Sequence, residues 1–212
     1  MGSIAQRLAH VRWIAGGTGS GKSTVARILA ARTGAVVYHG DRAERDWVSR
    51  CTPKDHPVMY ANLLLSKEER AMLAPAERLE RTASRHGETI GFVIEELLAL
   101  PKDRPVIVDW FGNAPRDVSP LLSWPGQAVF LLPTKEFRQV ALGTRFADPE
   151  RAKANWGGVD TAVALANRLG RDELWDAVVR RQAVELGLPV IDIDGTRDAE
   201  SVADDLARRF RL

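Results

Sequence analysis

Gly16-Gly17-Thr18-Gly19-Ser20-Gly21-Lys22-Ser23 satisfies the pattern G-x-x-x-x-G-K-[ST]. Residues 10–15 before it, His-Val-Arg-Trp-Ile-Ala, read as a buried strand. The residues after it, 23–30, read as an amphipathic helix with Val25, Ile28 and Leu29 on its inner face. A glycine-rich turn in this setting folds tightly enough for successive N–H groups to face a polyphosphate. The helix N-terminus adds partial positive charge. The spacing makes Gly17, Thr18, Gly19, Ser20, Gly21, Lys22, Ser23 and Thr24 the candidate nucleotide-binding residues. Lys22 is expected to reach the β- and γ-phosphates, and the Ser23 hydroxyl to coordinate Mg²⁺. ATP and Mg²⁺ are the expected cofactors.

Composition sets bounds on the remainder. The chain has 212 residues, 45% of them hydrophobic and 27% charged, which suits one α/β domain spanning residues 1–212. A net charge of +2 gives no case for a nucleic-acid surface, although the basic residues are 24 arginines and only 6 lysines. The single cysteine, Cys51, excludes an internal disulfide. No apolar run approaches a membrane span and no secretory core precedes the first strand, so the expected setting is cytoplasmic, with no membrane partner. Gln6 stands where a myristoylation signal wants Ser or Thr. Either a monomer or a homodimer is compatible with this composition.

Aliphatic runs at 35–39, 105–109, 127–132 and 188–193 alternate with helical stretches, the pattern of a parallel sheet covered on both faces. A helix is expected from Asp41, as its N-cap, to about Cys51. Ser66 and Glu69 have capping-box spacing. Pro75 is expected to seed one long helix to Leu100, with Leu79, Ala83, His86, Ile90, Val93, Ile94 and Leu97 facing inward. Residues 41–100 form a helical region on the acceptor side. Residues 134–172, with helices begun by Thr134 and Asp148 and punctuated at Gly157-Gly158 and Gly170, are a candidate lid. A last helix is expected over 198–210.

Three further stretches resemble nucleoside-monophosphate-type kinases. Tyr38-His39-Gly40-Asp41-Arg42-Ala43-Glu44-Arg45 resembles the segment after their second strand, and Asp109-Trp110-Phe111-Gly112-Asn113-Ala114-Pro115-Arg116 is similar to the one after their third. Asp194-Gly195-Thr196 resembles the turn bordering the adenine, which makes Gly195 and Thr196 candidate nucleotide contacts. Shikimate, gluconate and chloramphenicol kinases share this layout. The resemblance implies a three-layer α/β/α P-loop NTPase fold with strand order 2-3-1-4-5 and a helical lid.

Among these kinases, the residues favour those that phosphorylate a hydroxyl. Asp41, at a strand end beside the phosphate loop, can accept a hydroxyl proton, whereas a phosphate acceptor is already an anion and needs no base. Asp41 as a helix cap is the competing reading. Asp109 ends a hydrophobic strand and is the second candidate Mg²⁺ residue, with Ser23; satisfying a loop amide is its alternative. Trp47, Trp110 and Phe111 are expected to wall the acceptor side, which would suit a ring-bearing nucleoside, sugar or antibiotic. Arg42, Arg45 and Arg116 are candidates for an acceptor carboxylate or phosphate. Arg145 is the candidate lid arginine that neutralises charge on the transferred group. A small-molecule hydroxyl kinase, with antibiotic self-resistance as one role it could serve, is therefore expected; a nucleoside-monophosphate kinase and an ATP-binding regulatory module are the alternatives.

Overall fold

Side chains alternate across the central strands, yet both sets are buried, and that is why the strands read as continuous aliphatic runs. The computed structural model describes residues 2–212. Its strands are β1 (Val11–Gly16), β2 (Val36–His39), β3 (Val106–Asp109), β4 (Ala128–Pro133) and β5 (Val190–Ile193). They form one sheet in the order β2-β3-β1-β4-β5, and every neighbouring pair is parallel. The helices are α1 (Ile4–Arg7), α2 (Lys22–Thr33), α3 (Gly40–Trp47), α4 (Pro57–Leu63), α5 (Lys67–Met72), α6 (Pro75–Glu80) and α7 (Ile90–Ala99), then α8 (Pro115–Val118), α9 (Lys135–Phe146), α10 (Pro149–Trp156), α11 (Thr161–Glu185) and α12 (Ala199–Phe210).

Ile14, Ile107, Val129 and Leu131 face a layer made by Val25 and Leu29 of α2 with Val202, Leu206 and Phe210 of α12. On the other face, Trp13, Ala15, Val106, Val108, Phe130 and Leu132 meet Phe92, Val93 and Leu97 of α7 and Trp175 and Val179 of α11. This is the three-layer α/β/α architecture with the strand order that the resemblance implied. A smaller apolar cluster joins Ala71 of α5, Leu142 and Phe146 of α9, Trp156 of α10 and Ala164 of α11. It ties the 134–172 segment to α5 of the 41–100 region.

Four local expectations are corrected. The single helix from 75 to 100 is broken into α6, a 3-10 turn (Ala83–His86) and α7. Gly87, at φ +72°, ends the turn, and Glu88 then accepts from the Val58 and Met59 amides at 2.9 and 2.8 Å. The break thus places a carboxylate on the otherwise uncapped N-terminus of α4. His86, expected on the inner stripe, is exposed. The helix expected to reach Cys51 stops at Trp47, and its N-cap position belongs to His39, so Asp41 lies inside the first turn and is not the cap. Gly170 does not interrupt anything: α11 runs through it for 25 residues. A Cβ at Gly170 would sit 2.7 Å from the Pro75 ring, so the glycine is where α6 crosses close to α11.

Candidate active site

The phosphate loop leaves β1 in the middle of the sheet, between β3 and β4, and runs directly into α2. Gly16 adopts φ +109°, and a Cβ there would lie 2.3 Å from the Leu131 carbonyl of β4. No other residue fits that position. Gly17 donates to the same carbonyl at 2.8 Å, which pins the loop to the sheet. Lys22 is buried, with Nζ bonded to the Gly17 carbonyl and 3.4 Å from Ser20 Oγ. Burial pulls its pKa down, opposed by Asp109, Asp176, Asp41 and Asp172.

A cavity of about 190 Å³ is lined by Thr18, Gly19, Gly21, Lys22, Ser23 and Thr24, and by Asp41, Asp109, Trp110, Phe111, Arg145 and Arg168. Six of the eight expected nucleotide-loop residues are therefore on its wall; Gly17 and Ser20 are buried behind. Both candidate Mg²⁺ residues, Ser23 and Asp109, line it too. A hydroxyl and a carboxylate facing one small space suit a hard, oxygen-seeking cation. The parallel register sets Asp109 beside Ile14 of β1 and His39 of β2, and His39 Nδ1 lies 3.6 Å from its carboxylate.

A second cavity, of about 560 Å³, shares Asp41 and Phe111 with the first. Asp41 is thus reached from both. Asp41 is solvent-exposed, yet partial desolvation by the surrounding atoms, and then the Asp109 charge, raise its pKa, with Lys22, Arg168 and Arg145 opposing. One turn along α3, Glu44 also lines the larger cavity; burial and the Asp41 charge push its pKa up to about 7. Glu44 has the i, i+3 spacing from Asp41 that the helix reading already contained, and was not picked out.

The aromatic wall is only partly as expected. Phe111 faces both cavities and Trp110 the smaller one. Trp47 is fully enclosed, stacked on Phe92 at 5.5 Å and edge-on to Trp110 at 5.2 Å, with its indole N–H donated to Glu96. It supports the wall from behind. Of the three arginines expected to meet an acceptor, Arg45 lines the larger cavity, and Arg42 is exposed and lines neither. Arg116 lies in a separate depression with Arg85, His86 and Trp175, and bonds the Arg85 carbonyl. Gly195 and Thr196 lie at the exit of β5, where Thr196 donates to Asp194 and Gly195 packs against Phe137; neither lines the two cavities.

Arg138 of α9 and Arg168 and Arg171 of α11 all lie in the 134–172 segment, and the structure gives them separate places. Buried Arg138 donates to the Thr18 carbonyl at 3.3 Å and pairs with Asp176 of α11, so α9 and α11 clamp the loop from outside. Burial raises the Asp176 pKa to about 6 in spite of Arg138. Arg168 and Arg171 both pair with buried Asp172, at 3.0 and 2.8 Å. Asp172 therefore holds Arg168 at one cavity and Arg171 at the other. No local signal identifies these roles, because they arise only when one long helix lies across both cavities.

No family model matches the chain, and no curated protein matches it. Among solved structures, it is similar to a gluconokinase from Sinorhizobium meliloti, at 14% identity and a TM-score of 0.43, over 96% of this chain and 92% of that one. It is also similar to an uncharacterized protein from Eubacterium ventriosum, at 17% identity and a TM-score of 0.42, over 95% and 97% of the two chains.

Proposed function

We propose that the chain is an ATP-dependent phosphotransferase that moves the γ-phosphoryl group to a hydroxyl of a small molecule. The observation that carries this reading is the position of Asp41, on the wall of both the phosphate-loop cavity and the larger one beside it. A nucleotide in the first and an acceptor in the second would meet at that carboxylate.

The loop amides and Lys22 hold the triphosphate and take up charge as it develops on the transferring group. Ser23 and Asp109 would hold Mg²⁺, which would supply charge neutralisation for the phosphoryl transfer. Asp41 accepts the proton of the acceptor hydroxyl. The acceptor oxygen bonds to the γ-phosphorus, the bond to the β–γ bridging oxygen breaks, and ADP departs. A raised pKa makes Asp41 a better proton acceptor than an ordinary aspartate. Arg145 and Arg168, on the wall of the smaller cavity, suit the negative charge of the phosphoryl group in flight.

Replacing the base tests the assignment. Asp41→Asn is expected to lower kcat about a hundredfold or more, the usual worth of general-base help, with ATP affinity little changed. Retention of near-normal kcat removes Asp41 from the proton-accepting role.

A further inference from the structure

The larger cavity carries more positive charge than a neutral acceptor needs. Arg45, Arg70, Arg78, Arg81 and Arg171 line it, against the carboxyls of Asp41 and Glu44. Two of these arginines have internal partners that account for them: Arg81 reaches Glu77 at 3.2 Å and Arg70 bonds the Asn62 carbonyl at 3.1 Å. Arg171 is 6% exposed, pairs with Asp172 and lies over the Phe111 ring at 5.4 Å, yet its Nε has no hydrogen-bond partner among the described residues. Arg78 is less satisfied still. Its Nη1 is buried without a partner, and among the described residues no carboxylate lies within 4 Å of it. Burial and the charges of Arg171 and Arg168 pull its pKa down to about 10. Guanidinium groups crowded in this way, with donors unused, are costly unless an anion completes them. Resting on the phosphotransfer reading, we propose that the acceptor is a hydroxyl compound bearing an oxyanion, a carboxylate or phosphate ester, which sits on Arg78 and Arg171 while its hydroxyl meets Asp41.

The division of charge within the cavity sets the direction of binding. Asp41 and Glu44 repel an anion at the end where transfer occurs, and the arginines attract it elsewhere on the wall. An acceptor with a hydroxyl and an anionic group on one small frame satisfies both. The planar forks of Arg78 and Arg171 match either carboxylate or phosphate oxygens in pairs. Phe111, shared by both cavities and held through its carbonyl by the Trp175 indole at 3.2 Å, gives the frame an apolar surface.

Calorimetric titration of the full chain with inorganic phosphate separates this site from the phosphate loop. Two anion sites are expected in the unaltered protein, one weakened by Lys22→Ala and the other by Arg78→Gln. The second effect should be about thirtyfold or more, as for loss of one partner in a buried charge pair, with partial recovery in Arg78→Lys. Should Arg78→Gln fail to fold, the smaller loss in Arg78→Lys, whose ammonium keeps the charge without the planar fork, is read in its place. ADP release is then followed with matched sets of neutral sugars, sugar acids and sugar phosphates; faster release with one of the charged classes is expected and tells carboxylate from phosphate ester. The proposal is overturned if phosphate affinity is unchanged in both arginine variants, or if the neutral sugars serve as well as the charged ones. An unaltered protein that shows the Arg78-dependent site but no site sensitive to Lys22→Ala would contradict the phosphotransfer reading while leaving the arginine site supported.

Discussion

Glu44 and Asp41 stand one turn apart on α3, and the second acid feels the first. A carboxyl whose pKa rises from 4.5 to about 7 on folding binds its proton more tightly in the folded chain than in the unfolded one. Between those pH values the unfolded chain releases a proton that the folded chain keeps, so this group's contribution to stability falls as pH rises through the window. Glu44→Gln removes the effect. Unfolding temperatures should match those of the unaltered protein near pH 4.5 and exceed them at pH 8; equal values at both ends would contradict the assignment. The spacing of these two acids was visible in the sequence, because a helix opening near Asp41 already puts residues 41 and 44 on one face. The phosphate loop was equally visible, since glycine conformation, lysine reach and strand-to-helix context all act within a few residues. Arg78 and Arg171 were not, because their meeting depends on α6 and α11 lying side by side, and nothing local to either records that.

The elements whose limits were misread share a physical cause. Capping boxes and caps act within one turn, and Ser66-Glu69, Thr134, Asp148 and Asp198 all cap the helices that follow them. Gly87 and Gly170 look alike in sequence and behave oppositely. Gly87 takes a left-handed conformation and ends a turn, whereas Gly170 stays helical and makes room for Pro75. Only the tertiary partner distinguishes them. Gly170→Ala is a direct probe of the crossing. Helix propensity alone would favour alanine by about 1 kcal/mol. Overlap with the proline ring 2.7 Å away opposes it, and overpacking of this kind costs about 1–3 kcal/mol. A net loss of about 1 kcal/mol is expected, lowering Tm by about 2–4 °C in a domain of this size. A rise in Tm would show that α6 does not bear on α11 there. Because α11 also carries Arg168, Arg171, Asp172 and Asp176, the same crossing sets the walls of both cavities.

At the scale of the whole molecule, β1 delivers the phosphate loop and the β2-α3 junction delivers Asp41. Alternating strands and helices made the sheet and its covered faces legible, and the strand order followed from resemblance. The larger cavity was less so, because aromatic residues expected on its wall serve partly as its backing, as Trp47 does. If the cradle grips a triphosphate, ATP with Mg²⁺ at a hundred times its Kd should stabilise the fold by about 2.7 kcal/mol. That corresponds to a rise in Tm of about 5–10 °C for a chain of this length. Lys22→Ala should abolish most of the shift, and an equal shift in the variant would place the nucleotide elsewhere. The decisive measurement is acceptor-stimulated ADP release, screened over hydroxylated metabolites, antibiotics and nucleotides with the product weighed by mass spectrometry. A hydroxyl compound should accelerate ADP release and gain one phosphoryl group on its oxygen. ADP release that no hydroxyl compound stimulates, or a phosphoryl group found only on an acceptor phosphate, would contradict it.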